Sequence, residues 1–226
     1  IEALAEVFRF LNVTFGVLKK EKCTGDPVRR LGNDYLFSEL AQFNLDQIKA
    51  AGAVKLITIC PHCVRTIADD WRELGAEVSI EHHSEFLARN LARLPESAGE
   101  RARVAIHDPC YLGRYRDSYN APRQVIDRFD GIDEPVRSRE RGFCCGAGGG
   151  RVFLGEEEGK RVNVERAEQL VATGASVIGS ACPFCNSMLR DALPQTPGAS
   201  DVKLLDIVQI AAASLPAKNV EPVKPE

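Results

Sequence analysis

Short β-branched runs alternate with helical apolar spacings along the chain. Strands are expected over 13–18 (VTFGVL), 54–59 (VKLITI), 78–83 (VSIEHH), 103–107 (RVAIH), 134–138 (EPVRS), 176–181 (SVIGSA) and 202–207 (VKLLDI). Leu36, Leu40 and Phe43 space helically, and their pattern stops at Gly52. Val164, Ala167 and Leu170 do the same and stop at Gly174. Glycine takes up left-handed backbone readily, which is why it so often ends a helix. Strands separated by helices predict an α/β fold with parallel sheets. The first residues, EALAEVFRFL, already read as helix, and Ile1 stands where an initiator Met would, so the chain reads as a segment of something longer. The end, PAKNVEPVKPE, sets prolines among alternating charges and predicts a flexible tail over 215–226.

The pattern repeats. Cys60-Pro61-His62-Cys63 and Cys182-Pro183-Phe184-Cys185 are the same CPxC element, 122 positions apart, and the apolar runs AVKLITIC (53–60) and ASVIGSAC (175–182) lead into them. At the same offset Gly52 maps onto Gly174, Arg29 onto Arg151 and Cys23 onto Cys145. This is the register of a tandem duplication. The expected halves are 1–98, incomplete at its N-terminal end, and 99–214, with the boundary near 95–101. Both CPxC elements then fall at the carboxyl end of a strand with a helix following, where open parallel sheets place their ligands.

Composition narrows the chemistry. With 29 Lys and Arg against 32 Asp and Glu, the net charge is -3, so nothing marks the chain for nucleic acid. No apolar run approaches the ~18–20 residues needed to cross a bilayer. Neither GxSxG, HExxH nor a P-loop occurs, and no nucleophile or acid–base pair is evident. The distinctive inventory is eight cysteines. In the second half Cys110 is followed after 33 residues by the pair Cys144-Cys145, and after 36 more by Cys182 and Cys185. Disulfides fit badly, because secretory signals are absent and CPxC and adjacent cysteines make poor structural bridges. A tetrahedral zinc site leaves one thiolate over, and a CxxC redox pair leaves Cys110 and the doublet unused. An iron–sulfur cluster uses the whole set, since several irons offer neighbouring positions to adjacent thiolates.

HDPC (107–110), FCCGAGGGR (143–151) and ACPFCNSML (181–189) resemble the cysteine-rich CCG domain of heterodisulfide reductase and related iron–sulfur oxidoreductases. The longer strings EKCTGDPVRRLGNDYLF, CPHC, HHSEF and HDPCYLGRY resemble one branch of that family, larger membrane-associated proteins that pass electrons from electron-transfer flavoprotein to menaquinone. The resemblance implies two tandem Rossmann-like repeats with short parallel sheets and cysteines at strand ends. It implies a non-cubane [4Fe-4S] cluster on Cys110, Cys144, Cys145, Cys182 and Cys185. It also implies electron-transfer flavoprotein or another flavin dehydrogenase as donor, a quinone reached through a membrane part outside this segment, and a place on the cytoplasmic face of the membrane. Two alternatives stay open within the family: disulfide or thiol reduction at the cluster, or service as the iron–sulfur component of a lactate, glycolate or glycerol-3-phosphate dehydrogenase. A zinc-stabilised interaction module is the reading from another class.

The first half departs from the pattern, having only Cys23, Cys60 and Cys63. In the ungapped register Lys22 stands at the place of Cys144; a one-residue slip pairs Cys23-Thr24-Gly25 with Cys144-Cys145-Gly146 instead. A second [4Fe-4S] cluster there needs an upstream cysteine. Around the second half's set, Gly146, Gly148 and Gly149 are expected to aim backbone N–H groups at the cluster. Arg151 and Arg114 are expected to offset its charge, while Arg29, Arg30, Arg123, Arg161 and Arg166 read as solvated helix faces. His107 reads as structural or as a hydrogen-bond partner of the cluster. His82 and His83 read as strand-end histidines, and His62 as a neighbour of the ligands.

Overall fold

The computed structural model describes residues 1–96, 101–154 and 159–216. In chain order these form α1 (Glu2–Phe10), α2 (Asp26–Arg30), α3 (Asp34–Ala50), β1 (Leu56–Thr58), α4 (Pro61–Ala68), β2 (Ile80–His82) and α5 (His83–Arg89). There follow β3 (Arg103–His107), α6 (Cys110–Arg116), α7 (Asn120–Phe129), β4 (Gly131–Asp133), α8 (Val162–Val171), β5 (Val177–Ser180), α9 (Pro183–Ala192), β6 (Lys203–Asp206) and α10 (Ile207–Ala213). The fold is α/β, as the alternation predicts.

Every strand pairing is parallel. In the second half the order is β4-β3-β5-β6, with Val104 opposite Val177, His107 opposite Ser180 and Ser180 opposite Asp206. The chain leaves β3 toward one edge and β5 toward the other, so the carboxyl ends of β3 and β5 form the switch point where a crevice opens. Cys110 follows the first of these strands and Cys182 the second. Among the described residues the first half has β1 and β2 alone, with Thr58 opposite His82. Strands buried on both faces read as continuous apolar runs, and β3 is buried from Val104 through His107.

Two expected strands do not form. Residues 134–138 are irregular, and the strand lies just before them as β4. Pro135 has no N–H for a ladder and Val136 is 93% exposed, so that stretch gains nothing from pairing. Residues 13–18 are also without strand structure. Their counterparts at the repeat's offset, 135–140, are likewise without strand structure. Phe15 instead packs on Phe8, with ring centroids 5.1 Å apart. Helix α3 is where its periodicity places it, but it buries a neighbouring face: Phe37, Ala41, Leu45 and Ile48 are inside, while Leu36 is exposed. Gly52 and Gly174 end α3 and α8 with φ of 63° and 77°.

One apolar cluster spans both halves. Leu4, Val7, Phe8 and Leu11 of the first meet Ile207, Val208 and Ile210 of the second, while Leu87 joins Ile126 and Phe129. Each such side chain, fully buried, contributes about 1.5–3 kcal/mol. Three smaller clusters belong to single halves, one around Trp71 and Phe37, one around Ile178 and Leu170, and one that joins Ala147 to Cys145, Cys182 and Cys185. The expected boundary falls partly, and the expected tail almost wholly, on residues outside those described.

Candidate metal centre

The five second-half cysteines come from three segments and meet as a chain of sulfurs. Cys110 opens α6 after Pro109, and Cys182 caps α9, whose first turn holds Pro183 and Cys185. Proline suits that first turn because the N–H it lacks has no helical partner there. Cys110 interacts electrostatically with Cys144, Cys144 with Cys145, and Cys185 with Cys182. Cys145 Sγ lies 3.3 Å from Cys185 Sγ and closes the chain. Cys145, Cys182 and Cys185 are buried, while Cys110 and Cys144 reach partly to the surface.

The glycine loop brings the backbone against these sulfurs. Gly146, at φ 93°, donates its N–H to Cys144 Sγ at 3.2 Å, and the backbone of Ala147 bonds to Cys145. Gly148 passes so close that a Cβ there would sit 3.2 Å from the Tyr111 ring and 3.8 Å from Cys110 Sγ. Proton sharing along the chain drives the thiols apart. Hydrogen bonds from Cys110, Cys145 and Gly146 hold Cys144 down at about 2. Sharing with Cys144 pushes Cys145 up to about 12. Against the effect of its own burial, Cys182 is drawn to about 6 by hydrogen bonds from Cys185 and His62.

The cations are not where sequence proximity puts them. Arg151 is exposed at the start of a short 3-10 helix, and Arg114 lies at the surface, donating to Gly142 O at 2.9 Å. Arg166 and Arg123 are buried instead. Arg123 holds Asp108 through Nη1 and Nη2 at 2.6 and 3.0 Å and also binds Glu134, fixing the turn before Cys110. Arg166 donates Nε–H to His107 Nδ1 at 3.0 Å and reaches the carbonyl of Arg137. Burial, then the adjacent Arg166 charge, pushes His107 down to about 3. A ring nitrogen of His107 and the sulfurs of Cys145 and Cys185 all lie within 4.8 Å of one another. Beside Cys144 an open pocket of about 630 Å³ is lined by Arg114, Arg137, Arg141, Val136 and Phe143.

The first half builds the same corner with one change. Gly25, at φ 95°, donates to Cys23 Sγ at 3.5 Å, as Gly146 does to Cys144. Thr24 Oγ1 lies 3.5 Å from Cys63 Sγ, as Cys145 Sγ lies beside Cys185 Sγ. The slipped register is therefore the structural one: Cys23 matches Cys144, and Thr24 stands in place of Cys145. Asn44 of α3 ties the loop down through the carbonyls of Lys22 and Cys23 at 3.2 and 3.1 Å.

The two cysteine sets adjoin. His62 bonds through Nδ1 to Asp26 at 2.8 Å, is hydrogen-bonded to Cys182 of the other half, and stacks on Tyr111 with ring centroids 3.7 Å apart. Burial opposes its charge, but Asp26 and Cys182 raise it to about 9. His82 and His83 stand at the end of β2, fully buried and hydrogen-bonded: His82 caps α5 and bonds the carbonyl of Ile59, and His83 bonds Asp206 at 2.9 Å. Sequence proximity missed Thr24, Asp26 and Arg166, whose roles depend on contacts across long separations. The slipped register was the only available signal for Thr24.

Buried thiolates crowded together need a shared cation, and soft sulfur donors in this number suit iron. The donor set here, five contiguous sulfurs with backbone N–H groups and one buried guanidinium, fits an iron–sulfur group and exceeds what tetrahedral zinc takes. The chain is 38% identical over 218 residues to the "Probable iron-sulfur-binding oxidoreductase FadF" of Bacillus subtilis, covering 94% of the chain and 31% of that protein. It is 34% identical over 220 residues to the "EtfAB:quinone oxidoreductase" of Syntrophomonas wolfei, covering 92% and 31%. To a component of the dihydromethanophenazine:CoB--CoM heterodisulfide reductase of Methanosarcina barkeri it is 34% identical over 228 residues, covering 94% and 54%. The chain thus spans about a third to a half of the length of these relatives. The family model described as "Cysteine-rich domain", CCG, matches residues 1–68 and 104–190, and the chain belongs to that family.

Proposed function

We propose that this chain is the iron–sulfur electron-transfer domain of an oxidoreductase. The observation that carries the reading is the unbroken chain of five sulfurs, drawn from three segments to the switch point of one sheet. Cys110, Cys144, Cys145, Cys182 and Cys185 hold a non-cubane [4Fe-4S] cluster, which when bound supplies a one-electron redox centre. Gly146 and Ala147 present N–H groups to the ligand sulfurs, Asp108 and Arg123 fix the approach to Cys110, and the CPxC helices keep the remaining thiolates buried. Cys23, Cys60 and Cys63, with a fourth thiolate from outside these residues, hold a second cluster. His62 sits between the two sets. The two repeats, 1–98 and 99–214, each contribute one site while sharing a core.

Relatives named as a quinone oxidoreductase and as a "Probable membrane-anchored ferredoxin" support a route from a flavoprotein, electron-transfer flavoprotein or another flavin dehydrogenase, toward a quinone at the cytoplasmic face of a membrane. Among the described residues no helix is long and apolar enough to cross a membrane, and the reading places contact with a quinone in a membrane part outside this segment. The pocket beside Cys144 favours a second reading, reduction of a disulfide or thiol adduct at the exposed edge of the cluster.

The test is electron paramagnetic resonance with iron and sulfide analysis on anaerobically purified protein, wild type beside Cys145→Ser. The expected result is iron near four or eight per chain and a redox-active signal that the substitution alters. Zinc without iron, or no metal and no change, overturns the proposal. One cluster per chain in a longer form of the protein overturns the second site alone.

A further inference from the structure

Arg166 is a buried cation without a carboxylate ion pair among the described residues. Its hydrogen-bond partners are all neutral: His107 Nδ1, the carbonyl of Arg137 and Oε1 of Gln169. Asp108, the carboxylate whose field reaches it, is already bound to Arg123. The other negative groups acting on it are the sulfurs of Cys145 and Cys185. Its Nη2 is buried with no partner, and so is His107 Nε2. A buried guanidinium needs a counter-charge, and here the sulfur centre is what remains to supply one.

The contact also settles the chemistry of His107. A guanidinium has donors and no acceptor, so His107 Nδ1 must be the acceptor and its lone pair is spent on Arg166. The proton of the neutral ring is then on Nε2. Ligation through Nδ1 displaces Arg166, and ligation through Nε2 requires a second deprotonation of the ring. His107 therefore lies within reach of Cys145 and Cys185 as an N–H donor and not as a ligand.

We propose that Arg166 and His107 act together as a buried cationic pair on the Cys145–Cys185 side of the centre, in which Arg166 bars His107 from ligating iron and raises the reduction potential. The proposal rests on the iron–sulfur reading above. Its logic is electrostatic: reduction adds negative charge to the centre, and a fixed buried cation beside it favours the reduced state. The first half has no such cation at the matching place, because Asn44 stands 122 positions before Arg166.

The experiment compares anaerobically purified wild type with Arg166→Gln, Arg166→Lys and His107→Gln, reading iron content, redox titration and nitrogen hyperfine coupling in protein labelled at histidine. All four proteins are expected to hold iron. Wild type shows only the weak nitrogen coupling of a hydrogen-bond donor. Arg166→Gln lowers the potential by at least a tenfold change in the reduction equilibrium, about 59 mV for one electron. Arg166→Lys, which keeps the charge, recovers most of that shift. Ligand-sized nitrogen coupling in wild type, or an unchanged potential in iron-loaded Arg166→Gln, overturns the proposal while leaving the iron–sulfur reading intact. Wild type without iron overturns both. If Arg166→Gln does not fold, wild-type coupling together with the potential of His107→Gln decides: a lowered potential supports the pair, and an unchanged one overturns it.

Discussion

The two cysteine corners use the same devices with different parts. Each has a CPxC at the end of a strand, a glycine in left-handed backbone whose N–H meets a cysteine sulfur, and a side chain reaching from the next position of the loop to the second CPxC sulfur. In the second half that side chain is Cys145, and in the first it is Thr24. The helix behind the loop carries a buried charge in the second half, Arg166, and a neutral amide in the first, Asn44. A common backbone cradle thus serves two sites whose sulfur count and local charge differ. The lesson is that the fold provides geometry, while ligand number and field are set by single residues within it.

The comparison can be broken or sharpened by substitution, and the largest effect should come from making one corner imitate the other. Cys145→Thr gives the second half the first half's loop. Its expected outcome is loss of the wild-type resonance signal and reduced iron in the anaerobic protein, while the apolar core holds the fold together. A normal signal would mean that the doublet's second thiol is dispensable.

Next is the support unique to the second half. Arg123→Met leaves the buried carboxylate of Asp108 without its partner, and breaking a buried pair costs about 3–5 kcal/mol. Denaturant unfolding of the metal-free protein measures this, and a change below about 1 kcal/mol would show that the bond Asp108 already accepts from Arg139 N–H at 2.7 Å suffices to hold it.

The converse exchange is milder. Thr24→Cys places a thiol where a hydroxyl already contacts Cys63 Sγ at 3.5 Å. The metal-free variant should lose two hydrogens on mild oxidation, seen by mass spectrometry as a bridge to Cys63 that the wild type does not form there. Failure to form it would contradict the slipped register.

The smallest effect concerns the helices that follow each half's last strand. Asp206 caps α10, whereas a histidine, His82, caps α5. Burial, and then the neighbouring His83, hold His82 well below its ordinary value, so it is neutral in the fold. The unfolded chain takes up a proton below about pH 6.5 and the folded chain does not. The contribution of His82 is therefore full above that pH and is lost as the pH drops, by up to about 1.4 kcal/mol per unit. Denaturant midpoints at pH 7.5, 6.5 and 5.5 should show this slope, to which the neutral His107 adds its own share, and His82→Asn, which keeps a capping side chain, should remove the part that His82 supplies.

Much of this was legible in the chain itself. The cysteine spacing and the apolar runs before each CPxC locate the strand ends, because both depend on local residues. Residues 13–18 misled because a strand needs a partner as well as a propensity, and neither they nor their counterparts at 135–140 have one. The burial of Arg123 and Arg166, expected on solvated faces, escapes the sequence for the same physical reason. Arg151 is next to the doublet in sequence, but Arg166 is brought to it by the packing of α8 against β3, which no local pattern records. Thr24 was visible as one of two registers, and only the geometry of its hydroxyl against Cys63 separates them.

The shared core has a kinetic consequence. When two redox sites ride on separate bodies, exchange between them waits for those bodies to meet, on the microsecond to millisecond scale of domain motion. Here α1 lies against α10 and α5 against α7, and the His62 ring stacks on Tyr111 across the divide. The spacing between the two cysteine sets is part of the packed interior. On the two-cluster reading proposed above, transfer between them would need no domain encounter, and its rate should be indifferent to solvent viscosity.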